Sequence, residues 1–187
     1  MVRTRVGYTG GTTENPEYYK LGDHTETLEV VYDPSRISYE ELLDIFWRSH
    51  TPTLPPYSTQ YKSAIFYHGE EQRILAEASR AEYEAEFDAK VYTGIIPAAR
   101  FYPAEDYHQK YYLQNTPELR AEFEAMYPDI NGFVNSTAAA RLNGYVAGYG
   151  DEAVLRAELE DYGLSEAGKA KLLELTAGGL RPAQPVS

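Results

Sequence analysis

The stretch Glu26-Thr27-Leu28-Glu29-Val30-Val31-Tyr32-Asp33-Pro34-Ser35, followed by Ser38-Tyr39-Glu40-Glu41-Leu42-Leu43-Asp44-Ile45-Phe46-Trp47, decides the fold class. Its first part has the period of a strand, and parity places Glu26, Leu28, Val30 and Tyr32 on one face. Asp33-Pro34-Ser35 ends that strand, since proline brings no N–H to a ladder. Ser38 and Glu41 then stand three apart, the spacing of a capping box that starts a helix. Tyr39, Leu42, Leu43, Phe46 and Trp47 recur at helical spacing and predict its buried stripe. A strand running into an amphipathic helix is the beginning of an α+β or α/β arrangement.

Working outward, residues 2–8 read as a strand, and Gly10-Gly11 with Asn15-Pro16 mark a loop after it. Thr51-Pro52 through Pro55-Pro56 is a second loop. Residues 62–67 read as a strand, and residues 69–88 as a charged helix with Ile74, Leu75 and Ala78 turned inward. Residues 91–96 and 99–102 read as short strands or a hairpin. Helical spacing returns at 104–114, 117–127, 134–142, 151–161 and 166–176, with Ser165 as a cap for the last. The front half therefore runs strand-strand-helix-strand, in α+β style. That order matches a ferredoxin-like plait without its first strand and first helix. The expected division is a domain over residues 1–149 and a helical C-terminal extension over 150–187.

The 187 residues are 43% hydrophobic and 25% charged, in keeping with one globular domain and an appendage. A formal net charge of −12 argues against nucleic acid or an anionic membrane as partner. No apolar run approaches the length of a membrane span, and Met1-Val2-Arg3-Thr4-Arg5 has no signal-peptide pattern. The cytoplasm is the expected location. These residues hold no cysteine, so they contain no disulfide, thiolate metal site or cysteine nucleophile. Tyrosine is abundant, 18 against 6 phenylalanines, which favours pockets that are aromatic and polar together.

Glu26 opens its strand beside Leu28, Val30 and Tyr32. A carboxyl group on that face would be partly desolvated, which favours the protonated form and makes it a proton donor at neutral pH. At the mouth of the strand it would instead be an ordinary solvated residue. Tyr18, after the Asn15-Pro16 turn, and Tyr61, before the 62–67 strand, could converge on the same region or simply pack at the core edge. Two phenols and a carboxylic acid suit a substrate whose strong feature is an acceptor oxygen. The four histidines show no metal-ligand spacing. His108 reads as a structural hydrogen-bonding residue, and Glu105-Asp106 as the acidic start of a helix. Gly7, Gly10 and Gly11 lack the spacing of a phosphate-binding loop.

Five segments in order sharpen this picture: Val6-Gly7-Tyr8-Thr9-Gly10-Gly11, Asn15-Pro16-Glu17-Tyr18, Gly22-Asp23-His24-Thr25-Glu26, Thr59-Gln60-Tyr61 and Ala104-Glu105-Asp106-Tyr107-His108-Gln109. Together they resemble the class A peptide methionine sulfoxide reductases, over about Val2 to Gln114, with a fainter match at Leu142–Tyr149. The resemblance implies reduction of methionine S-sulfoxide, free or in proteins, by a cysteine or selenocysteine that attacks the sulfoxide sulfur. It implies no bound cofactor or metal, and thioredoxin or another thiol as reductant. It makes Glu26 the acid that protonates the sulfoxide oxygen, and Tyr18 and Tyr61 the phenols that hold it.

The chain departs from the family pattern in three places. The family's nucleophile lies in a Gly-Cys-Phe-Trp segment at the start of the first helix, expected upstream of Met1. Trp47, on a later helix, does not replace the tryptophan of that segment. Pro55-Pro56-Tyr57-Ser58 stands where many members carry Gly-Asn-Asp, so the usual second acid is absent. Gly148-Tyr149-Gly150 stands where a resolving cysteine often occurs. A selenocysteine codon read as a stop, with a start assigned at Met1, would account for the first departure. A non-catalytic module that binds methionine or its sulfoxide in peptides is the alternative function.

Overall fold

The computed structural model describes residues 2–181, in two compact units. The first comprises residues 6–105 and is α+β; the second is helical and comprises residues 106–181 together with 2–5.

The α+β unit carries β1 (Arg3–Thr9), whose first residues count with the helical unit, and β2 (Thr25–Val31). It continues through α1 (Tyr39–Arg48), β3 (Ala64–Tyr67), α2 (Glu70–Phe87), β4 (Gly94–Pro97) and β5 (Tyr102–Pro103). The strands make two sheets: a three-stranded one ordered β2-β1-β5, and a parallel pair β3-β4. In the first, β5 runs antiparallel to β1, with Gly7 opposite Pro103 and Tyr8 opposite Tyr102. In the second, α2 is the crossover of a β-α-β unit, the connection that parallel neighbours require.

The capping box of α1 forms as its sequence dictates: Ser38 accepts from the Glu41 amide at 3.1 Å, and Glu41 accepts from the Ser38 amide at 2.7 Å. Leu43 and Trp47 are its buried residues. They pack with Ile65, Ala76 and Val91. The inward face of α2 differs from the expected one. Ala76 is the buried residue and Leu75 packs beside it, while Ile74 and Ala78 face solvent. The reason is Trp47: its indole lies over α2 and its Nε1–H donates to Ser79 Oγ at 3.0 Å. Small residues opposite the ring therefore select the buried face, ahead of aliphatic size. His50, at the end of α1, bonds Phe46 O and Ser63 Oγ, both at 2.8 Å, and Ser63 Oγ meets Thr93 Oγ1 at 2.7 Å. Burial lowers the His50 pKa, and this bridge joins the end of α1 to the segments leading into β3 and β4.

The helical unit holds a 3-10 turn at Asp106–His108 and the helices α3 (Tyr111–Gln114), α4 (Pro117–Met126), α5 (Ile130–Asn135) and α6 (Thr137–Val146). Then come α7 (Glu152–Glu158), a 3-10 turn at Leu159–Tyr162, and α8 (Glu166–Thr176). The helix expected over 104–114 is broken, because Lys110 adopts φ 50°, a left-handed conformation that no α-helix continues through. The helix expected over 134–142 is two helices that meet at Ser136, whose side chain caps α6 through the Ala139 amide. Leu113, Leu119, Phe123, Leu142, Leu155 and Leu172 lie in one buried cluster, so α7 and α8 share the core of α3–α6. Lys110 is buried, and its ammonium donates to Thr4 O at 2.5 Å and Val134 O at 3.0 Å, pinning the first residues of β1 to this unit. No helix of the described residues is long and apolar enough to cross a membrane.

Candidate active site

The candidate residues all lie in the α+β unit. β1 delivers Thr9 and Gly10 to the start of the loop that carries Tyr18. Gly10 sits at φ +83°, and a Cβ there would come within 2.6 Å of the Phe66 ring, so both backbone and space call for glycine. Asp23 then organises the loop. One carboxylate oxygen accepts from the Thr12 amide and hydroxyl at 2.8 and 2.9 Å, and the other accepts from those of Thr13 at 3.0 and 2.8 Å. These four bonds to the charged form hold the Asp23 carboxyl far below the usual carboxylate range.

His24 is 1% exposed. Its Nδ1 accepts from the Gly11 amide at 3.2 Å and its Nε2 lies 2.7 Å from Thr13 O. An amide donor at Nδ1 places the ring proton on Nε2, which donates to that carbonyl. Glu105 fixes the far side of the loop: one oxygen accepts the Tyr8 hydroxyl at 2.6 Å, and the other accepts the Tyr18 amide at 2.9 Å. Glu105, directly before the 3-10 turn that Asp106 opens, is thus also a clamp on Tyr18.

Glu26 and Tyr61 are brought together by pairing of the 59–61 segment with the start of β2. Thr25 Oγ1 donates to Thr59 O at 3.0 Å, and the Glu26 amide donates to Gln60 O at 3.0 Å. Gln60 closes the arrangement, since its amide nitrogen donates to Glu26 Oε1 at 2.6 Å and to the Tyr61 hydroxyl at 3.0 Å. The Tyr61 phenol is pushed up to about 12, first by its hydrogen bond to Tyr18, then by desolvation and the neighbouring Glu26 charge. Tyr18, Glu26 and Tyr61 therefore meet at their polar ends, from three separate stretches of chain. The β2 face differs from the expected one. Leu28 is 57% exposed and Glu26 is half-buried, so that carboxyl sits among polar partners at a strand end, not on a buried apolar face.

Two residues of this network carry no local sequence signal of their role. Gln60 lies within a quoted motif, but its role depends on the backbone pairing with Glu26. Glu105 acts across 87 residues on Tyr18, a separation that no local pattern reveals. Trp47 lies in the core with Leu43 and Ala76. The His108 ring packs against Tyr107 at a tilt of 42°, ring centroids 4.3 Å apart. Among the described residues, no group of three or more histidines, aspartates or glutamates could hold a metal ion.

The arrangement offers phenolic hydroxyls and a carboxyl group to one acceptor atom. The family profile described as peptide methionine sulfoxide reductase matches residues 1–140. A peptide methionine sulfoxide reductase of Drosophila melanogaster is 45% identical over 167 residues, covering 88% of this chain and 67% of the relative. The MsrA enzyme of Methanothermobacter thermautotrophicus is 45% identical over 131 residues, covering 64% of this chain and 77% of the relative. The crystal structure of reduced Mxr1 from Saccharomyces cerevisiae is similar at a TM-score of 0.56 and 32% identity, covering 62% of this chain and 71% of the other. On the strength of the family match and these relatives, the chain belongs to the peptide methionine sulfoxide reductases, in their class A.

Proposed function

We propose that this chain binds methionine S-sulfoxide, free or in proteins, and supports its reduction to methionine. The observation that carries this reading is the meeting of the Tyr18 and Tyr61 hydroxyls with Glu26. Tyr18 and Tyr61 donate hydrogen bonds to the sulfoxide oxygen, and Glu26 delivers the proton that oxygen needs as its bond to sulfur breaks. A thiolate or selenolate attacks the sulfur and ends as the sulfenic or selenenic acid, oxidised by two electrons while the sulfoxide is reduced by two. Two thiol equivalents then restore it, giving a disulfide and water. These 187 residues contain no such nucleophile, so the chalcogen comes from outside them.

Thioredoxin or another thiol is the proposed reductant, which places the reaction in a reducing compartment such as the cytoplasm and makes its outcome the repair of oxidised methionine. We assign this chemistry to residues 1–149, with 150–187 as a C-terminal extension whose helices α7 and α8 pack into the core of α3–α6. A ferredoxin-like plait whose first strand joins the β2-β1-β5 and β3-β4 sheets is the proposed architecture, supported by the order of the elements and by the presence of two separate sheets.

Calorimetric titration of the 187-residue chain with N-acetylmethionine S-sulfoxide and with N-acetylmethionine tests the reading. The sulfoxide should bind about tenfold more tightly, as two or three added hydrogen bonds allow, while dithiothreitol and the chain alone yield no methionine. Equal affinities would refute the oxygen grip. Methionine produced by the chain alone would refute the need for an outside chalcogen.

A further inference from the structure

The phenols that meet Glu26 belong to a longer row. Tyr18 packs edge-on against Tyr19, ring centroids 5.0 Å apart, and Tyr61 packs against Tyr57 at 5.6 Å and 31°. With the hydrogen bond between Tyr18 and Tyr61, four tyrosines run in the order Tyr19, Tyr18, Tyr61, Tyr57. The outer two are open to solvent, Tyr19 at 93% and Tyr57 at 83% exposed. Neither ring is needed to fill a core, so burial does not explain them. Tyrosine gives broad contact area at small entropic cost and presents an electron-rich face.

The surrounding charge favours one sign of ligand. Apart from Glu26, which serves the sulfoxide oxygen, the segment 14–26 carries the carboxylates Glu14, Glu17 and Asp23, and the segments 14–26 and 57–62 carry one lysine each, Lys20 and Lys62. The whole chain adds a formal charge of −12, a field that draws cations toward it.

We propose that this tyrosine row is a docking surface for an extended peptide carrying lysine or arginine within about two residues of the methionine sulfoxide. This rests on the sulfoxide grip described above and extends it to the residues on either side. The sulfoxide oxygen sits at Tyr18 and Tyr61, the peptide backbone runs along the row, and the flanking cations lie over Tyr19 and Tyr57. Acidic peptides are repelled by the carboxylates of the 14–26 segment and by the net charge of the chain. The row thus selects basic, unfolded protein segments over the free amino acid.

The test uses the 187-residue chain and fluorescein-labelled decapeptides with a central methionine S-sulfoxide, flanked by lysines or by glutamates, followed by anisotropy. The lysine-flanked peptide should bind more tightly than the glutamate-flanked one. Tyr57→Ala and Tyr19→Ala should each weaken it about two- to five-fold, the size of one exposed cation–π contact. Tyr57→Phe should retain affinity, and free N-acetylmethionine S-sulfoxide should bind all variants equally. Equal binding of the two peptides, or no effect of either alanine, would overturn the proposal. A peptide with reduced methionine that binds as tightly as the sulfoxide peptide, with the lysine preference intact, would refute the oxygen grip and leave the tyrosine row standing.

Discussion

Replacing Glu105 with glutamine keeps the shape of the side chain and changes its chemistry in a definite way. The carboxylate accepts from two donors at once, the Tyr8 hydroxyl at 2.6 Å and the Tyr18 amide at 2.9 Å. A carboxamide has one accepting oxygen, so one of these donors must face its NH2 group. A hydrogen bond to a charged group contributes roughly 1.5–3 kcal/mol, and the surviving bond falls to about 1 kcal/mol without the charge. Glu105→Gln should therefore cost about 2–5 kcal/mol, read as a lower urea midpoint at unchanged m-value. The same variant should loosen the tether on Tyr18 and weaken S-sulfoxide binding about three- to ten-fold, matching Tyr18→Phe. A stability change below about 0.5 kcal/mol with unaltered sulfoxide affinity would refute the reasoning that Glu105 positions Tyr18.

Leu172 on α8 is fully buried in the cluster of Leu113, Phe123 and Leu142. Leu172→Ala should destabilise the helical unit by about 3–5 kcal/mol, measured by urea unfolding; a surface-like change of about 0.5 kcal/mol or less would show that α8 lies outside the core. The Lys110 ammonium is shifted down to about 8, mainly by burial and then by the Arg5 charge. Between that value and its ordinary 10.5 the unfolded chain binds the extra proton, so stability from this group rises with pH and is lost as pH falls through 8. Relative to Lys110→Met, the wild type should gain up to about 3 kcal/mol between pH 8 and 10.5; parallel pH curves would contradict the assignment.

Local patterns in the sequence made some of this structure legible. The capping box at Ser38, the Ser165 cap and the β1 strand each depend on residues within a turn or an alternation, and all three appear where the spacing puts them. The buried face of α2 was illegible because it is set by Trp47, which lies 32 positions away from its partner Ser79. The break at Lys110 was equally hidden: a lysine gives no sign of a left-handed backbone until its ammonium is seen capping Thr4 O and Val134 O. At the site, the residue types of Tyr18, Glu26 and Tyr61 suggested a shared acceptor. The means of assembly, Gln60 and Glu105, emerged only with the pairing of distant segments.

The proposed chemistry depends on a sulfoxide oxygen held jointly by Tyr18, Tyr61 and Glu26. A crystal structure of the 187-residue chain with N-acetylmethionine S-sulfoxide tests it most directly. The sulfoxide oxygen should lie within about 2.5–3.0 Å of both phenolic oxygens and of a Glu26 carboxyl oxygen. A ligand whose oxygen lies elsewhere, with these three side chains bonded only to one another, would contradict it.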